Sequence, residues 1–137
     1  MFSNPDERTI CAMLRAVRTI AVVGLSPKPA RPSHRIARAL KERGYRIIPV
    51  RPLLAEVLGE KAYAGLADIE EPVDLVNVFR AASHLRPIVD ECLRMGLPRL
   101  WIQDGIINDA EAARARAAGM EVVMDRCILR DLNSLCA

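Results

Sequence analysis

Four basic side chains are spaced so that one fold would gather them around a single anion: Lys28, Arg31, Arg51 and Arg80. Each follows an apolar, β-branched run that reads as a buried strand. TIAVVGL (19–25) precedes Lys28 and Arg31, YRIIPV (45–50) precedes Arg51, and VDLVNVF (73–79) precedes Arg80. In an open α/β sheet, ligands lie beyond the carboxyl ends of the strands, where the strand order reverses. The spacing therefore brings cations from separate loops to one end of the sheet. Guanidinium groups present planar forks that suit phosphate oxygens. A helix expected to start near Ser33 adds free backbone N–H groups and a positive dipole end at the same place. The implied chemistry is anion binding, and several linked phosphates suit such a site better than one.

Other reactive groups are sparser. His34 opens the same helix and could reach a phosphate, whereas His84 falls in the first turn of a later helix, open to solvent. Neither has a Ser or Cys nucleophile partner evident in the sequence. Asp104 and Asp125 both end strands on the ligand side, which suits either a carboxylate pair or two ordinary loop acids. Cys127 follows the fifth strand at the same end, beside Arg126. A reactive thiol there would form mixed disulfides, and a buried one would be inert. The four cysteines, Cys11, Cys92, Cys127 and Cys136, are scattered without CxxC spacing or His pairs. That pattern argues against a zinc site or redox motif and leads us to expect reduced, packed thiols.

The loop GLSPKP keeps only Gly24 of the GxGxxG pattern that admits a dinucleotide pyrophosphate. Arg51 stands where a ribose-binding acid would end the second strand. NAD is disfavoured, and a 2′-phosphorylated nucleotide stays open. No GxxxxGK[ST] motif occurs, and the first strand ends without the acidic cluster of a phospho-receiver. Stacking aromatics and a basic helix are missing, so no nucleic-acid partner is expected.

The elements that must position these residues alternate. Apolar residues at Ile10, Met13, Leu14 and Val17 mark an N-terminal helix, with Ser3 or Asn4 as its cap and Pro5 at its first position. After the first strand come a helix over about 34–43, the second strand, and a long connection (51–72) with a short helical patch near Leu54–Leu58. The third strand leads into a helix from Ser83 to about Met95. RLWIQ (99–103), a capped Ala-rich helix (108–119) and EVVMD (121–125) complete the set. Strands alternating with helices imply βαβ units. The expected fold is α/β, a Rossmann-like three-layer sandwich on a five-stranded, mostly parallel sheet of order 3-2-1-4-5. One domain is expected over 1–137: an N-terminal helix (1–18), the core (19–126) and a tail (127–137) whose apolar pattern suits a short helix.

Composition agrees. A chain of 137 residues, 51% hydrophobic and only 4% aromatic, must build its core from aliphatic side chains. No apolar run is long enough to span a membrane and the start is no signal peptide, so a cytoplasmic location without membrane contact is expected. The net charge of +3 hides an asymmetry: residues 1–62 hold 12 Lys and Arg against 5 Asp and Glu, while residues 63–137 hold 8 against 12.

The run VVGLSPKPARPSHRIARALKERGYRIIPVRP (22–52) resembles the stand-alone CoA-binding proteins, relatives of the nucleotide-binding domain of succinyl-CoA synthetase. LGEKAY with L-x-DI (58–69), VDLVNVFR (73–80), LWIQDGI (100–106) and VVMDRCI (122–128) follow in that family's order. The resemblance implies coenzyme A as cofactor. It assigns the nucleotide and its phosphates to Gly24, Ser26, Lys28, Arg31 and Ser33 in the first loop, to Val50 and Arg51, and to Phe79 and Arg80. The family usually shows Asn-Pro after the second strand, where this chain has Arg51-Pro52, so a charge replaces an amide. The resemblance further implies a binding module for CoA or an acyl-CoA, with an acyl-CoA enzyme as a possible partner. The alternatives are a small enzyme acting on an acyl-CoA or nucleotide through Asp104, Asp125 or Cys127, and an NADP-binding protein.

Overall fold

The computed structural model describes residues 1–136. Along the chain run α1 (Glu7–Ala16), β1 (Thr19–Val23), α2 (Pro32–Glu42), β2 (Arg46–Val50), a hairpin of β3 (Glu56–Val57) and β4 (Glu60–Lys61), β5 (Leu75–Val78), α3 (Leu85–Met95), β6 (Arg99–Ile102), α4 (Asp109–Ala117), β7 (Glu121–Met124) and α5 (Ile128–Leu135). The sheet strands are near-continuous aliphatic runs because both of their faces are covered. Ile20, Val22, Ile47, Leu75, Trp101 and Val123 face α1, α2 and α5. Ala21, Val23, Ile48, Val76, Leu100 and Val122 face α3 and α4. The result is the expected Rossmann-like three-layer sandwich.

All pairings in the five-stranded sheet are parallel, in the order β2-β1-β5-β6-β7. Counted along the chain this is 2-1-3-4-5. The third strand lies between the first and the fourth, not outside the second as in the expected 3-2-1-4-5. The connection after β2 explains the difference. It folds back so that the Tyr63 N–H donates to the Pro49 carbonyl at 2.9 Å and the Arg51 N–H donates to the Tyr63 carbonyl at 2.8 Å. That occupies the outer edge of β2, so β5 pairs with the free side of β1. The order therefore reverses between β1 and β5, where α2 and α3 leave to opposite faces, and a ligand crevice opens there.

Several local expectations change. The patch near Leu54–Leu58 is not helical: β3 and β4 pair antiparallel across Leu58 (φ 56°) and Gly59 (φ 73°), two positive-φ residues of the kind a tight hairpin turn requires. Asp6, not Ser3 or Asn4, caps α1, accepting from the Thr9 N–H at 2.8 Å. Asn4 instead clamps the edge strand β7, its side chain donating to the Met124 carbonyl and accepting from the Met124 N–H, both at 2.8 Å. A short 3₁₀ turn, Ala82–His84, precedes α3, so Ser83 is not its cap. The tail does form a helix, α5.

The cysteines divide in a way their spacing does not announce. Cys11 and Cys136, 125 residues apart, are joined by a disulfide with Cα atoms 5.4 Å apart, which corrects the expectation of four reduced thiols. Cys92 and Cys127 are free and buried. Burial on the inner face of α3 pushes the Cys92 thiol up to about 12. No helix among the described residues is long and apolar enough to cross a membrane.

Candidate functional site

The site begins where β1 ends. Gly24 has φ +88°, and its N–H donates to the Val50 carbonyl at 2.9 Å as the chain turns off the sheet. The adjoining Arg80 side chain lies so close that a Cβ on Gly24 would sit 3.0 Å from Arg80 Cδ and 3.4 Å from the Phe79 carbonyl carbon. Glycine is required here on two counts, conformation and space. Leu25 is fully buried and pins the loop to the core.

Polar side chains then shape the loop from within. Ser33 Oγ accepts from the Ser26 N–H at 3.0 Å, Ser26 Oγ accepts from the Lys28 N–H at 3.1 Å, and His34 Nδ1 donates to the Ser26 carbonyl at 2.9 Å. Ser26, Ser33 and His34 are all buried, so they hold the loop rather than present themselves to solvent. Pro32 opens α2 with no side-chain cap and no acidic residue in the first turn. The positive end of that helix is left for another group to neutralise.

Beyond the carboxyl ends of the strands lies a cavity of about 780 Å³. It brings together seven of the residues expected at the site: Gly24, Ser26, Lys28, Arg31, Ser33, Arg51 and Phe79. Arg35 and Arg130 add further cations, and among the described residues Asp104 is the one acid on the wall, 3.4 Å from Arg130. Among the described residues no carboxylate lies within ion-pair distance of Lys28, Arg31, Arg51 or Arg80. The uncharged lining includes Ile36, Phe79, Gln103, Ile106 and Cys127. Gln103 is 3% exposed: its Oε1 accepts from Asn77 Nδ2 at 3.2 Å and from the Ile128 N–H at 3.4 Å, while its Nε2 has no partner.

Two expected residues stand apart from this cavity. Val50 is a core residue, 4% exposed. Arg80 lines an adjoining hollow of about 420 Å³ with Gly24, Arg51, Pro52 and Phe79. Asp104 lines the cavity and Asp125 does not: Asp125 is held in a left-handed turn (φ 60°), where its Oδ1 accepts from the Gly105 N–H at 2.8 Å. His84 borders a different hollow beside Arg80. Arg35, Ile36, Ile106 and Arg130 were not anticipated. The first two lie near the start of α2, just past the loop after β1, a position that the expected helix start already marked. Nothing in the sequence signals Arg130, which reaches the site only because α5 packs back against the sheet.

The model of the family described as "CoA binding domain" matches residues 18–133. The "Uncharacterized protein YneT" of Bacillus subtilis is 41% identical over 125 residues, covering 91% of this chain and 93% of that protein. A solved structure from Thermus thermophilus, "cell-free ID.343", superposes with a TM-score of 0.91 at 38% identity, covering 96% of this chain and 99% of that one. The "Acetate--CoA ligase [ADP-forming] II subunit alpha" of Pyrococcus furiosus is 27% identical over 122 residues, covering 81% of this chain but only 27% of that subunit.

Proposed function

The chain belongs to the CoA-binding domain family, and from that premise we propose that it binds coenzyme A or an acyl-CoA in the cavity beyond the strands, as a binding module. The observation that carries this reading is the cluster of unpaired cations, Lys28, Arg31 and Arg51, beside the uncapped start of α2. Several cations left without carboxylate partners suit a polyphosphate that supplies the counter-charge. The size fits too, since pockets for organic ligands run to roughly 300–1,000 Å³.

In this reading, Lys28, Arg31 and the first turn of α2 hold the diphosphate, and Gly24 lets it approach the backbone. Arg51 takes the charge of the 3′-phosphate, which explains a guanidinium where the family usually has Asn. Phe79, Ile36 and Ile106 offer apolar surface to the rest of the ligand. The likeness to one section of an acyl-CoA-forming ligase subunit supports a role beside an acyl-CoA enzyme, as carrier or partner.

Calorimetric titration with CoA, dephospho-CoA and NADP tests the reading. CoA should bind most tightly, with a marked loss on removal of the 3′-phosphate. Binding of NADP alone, with no heat from CoA, refutes it.

A further inference from the structure

The geometry points to Cys127 as a covalent anchor for the thiol end of the ligand, formed by thiol–disulfide exchange; this rests on the CoA-binding reading above. Three of the cavity's cations, Lys28, Arg31 and Arg51, sit on the loops after β1 and β2, with Arg35 on α2 and Arg130 on α5. Cys127 lies on the cavity wall, after β7 and at the start of α5, beside Gln103. A ligand with phosphates at one end and a thiol at the other would reach from those loops with its sulfur toward Cys127.

A second feature of the same wall points to a ligand. Gln103 is 3% exposed, yet its Nε2 has no hydrogen-bond partner in the protein. Buried amide donors are rarely left unsatisfied, and the cost of doing so is offset when a bound group accepts the bond. The amide carbonyl of a pantetheine-type arm is such an acceptor. Gln103 also accepts from the Ile128 N–H, so it is tied to the helix that Cys127 begins.

The other cysteines are set aside by their surroundings. Cys92 is fully buried with its thiol held up to about 12, and Cys11 is bonded to Cys136. Cys127 is 9% exposed where Cys92 is fully buried, and among the described residues it is the one free thiol that lines the cavity. The reaction needs the disulfide form of the nucleotide as co-reactant. The Cys127 thiolate attacks one sulfur of CoA disulfide, and a Cys127–CoA bond forms as the ligand's own S–S bond breaks. The departing CoA thiolate takes up the proton that Cys127 gave to solvent. One disulfide is consumed and one is formed, so no further oxidant is required.

The test incubates the full chain, without reductant, with CoA disulfide and separately with cystamine, which lacks the nucleotide. Intact mass and peptide mapping follow the products, and calorimetry with CoA is run alongside. The expected result is one CoA adduct, on the Cys127 peptide, formed at least ten times faster than the cystamine adduct. Desulfo-CoA should slow it, dithiothreitol should remove it, and Cys127→Ser should lose it. If that variant misfolds, mapping and desulfo-CoA protection on the wild-type chain still decide the matter. A chain that binds CoA yet forms no adduct at Cys127, reacts equally fast with cystamine, or is modified at Cys11 or Cys136 instead overturns the inference and leaves CoA binding standing. A chain with no affinity for CoA overturns both.

Discussion

Replacing Gly24 with Ala separates two costs that the structure allows to be counted. The first is conformational. At φ +88° an L-residue is in the left-handed region, at a cost of about 1–2 kcal/mol. The second is steric. The new Cβ would meet Arg80 Cδ at 3.0 Å, forcing that side chain from its rotamer for roughly 0.5–1.5 kcal/mol more. Gly44 isolates the first cost, because it has φ +99° at the end of α2 with nothing within 4 Å of its Cβ position. Gly44→Ala should therefore lose only about 1–2 kcal/mol. Gly24→Ala should lose about 1.5–3.5 kcal/mol, a fall of roughly 5–17 °C in melting temperature for a chain of this size. Thermal melts and urea titrations of both variants give the stability difference. Calorimetry with CoA gives the functional one: Gly24→Ala should weaken binding at least tenfold, and Gly44→Ala, at the opposite end of the sheet, should not. If the two variants melt alike and Gly24→Ala binds CoA like the parent, the close approach at Gly24 has no role in the site and the reasoning is refuted.

Other perturbations reach different parts of the molecule. Arg51→Ala should cost about 1.5–3 kcal/mol of CoA affinity, as for a charge-assisted bond, but far less affinity for dephospho-CoA; equal losses on the two ligands would show that Arg51 does not read the 3′-phosphate. Reducing the Cys11–Cys136 disulfide, which closes a loop of 125 residues, should lower stability by about 2–4 kcal/mol in urea titrations with and without phosphine reductant. Cys92 has its ordinary value of 9.0 raised to about 12 in the fold. The folded state therefore keeps a proton that the unfolded chain gives up, and its contribution to stability is intact below pH 9 and lost as pH rises toward 12. Unfolding midpoints at pH 8 and pH 10.5 should fall less steeply in Cys92→Ala than in the parent. Asn4→Ala removes two 2.8 Å hydrogen bonds to Met124 and should cost about 1–2 kcal/mol, read from the urea midpoint.

The sequence shows the strands and the cation-bearing loops because both are local. A β-branched run ending in Gly24, or an Arg two residues past Pro49, is legible from its neighbours alone. The strand order is not, because it turns on whether the connection after β2 returns to the edge of that strand, and the Tyr63 backbone bonds that do so follow a hairpin whose turn is Leu58-Gly59 rather than Asn-Gly. The same limit explains the site. Lys28, Arg31, Arg51 and Phe79 follow strands directly and meet as expected, whereas Arg130 arrives on a helix whose packing is set by α1 and by Asp131, its carboxylate held by Arg126 at 2.6 Å. Val50 lies outside that cavity's lining for a plainer reason: the last residue of a strand can still point into the core. Cys11 and Cys136 carry no mutual signal, since only the packing of the first helix against the last brings them within bonding reach.

That bond closes the covalent path between Cys11 and Cys136 into a ring. Every sheet strand, and every loop that supplies a cation to the cavity, lies between the two linked sulfurs. A single cut by a protease anywhere on that arc opens the ring but releases nothing, so the nicked species migrates as one band until thiols are added. Limited digestion of this chain must accordingly be read on reducing gels. Conversely, a chain nicked in the exposed Pro52-Leu53 turn keeps both of its halves tethered and can reassemble at an effective concentration independent of dilution.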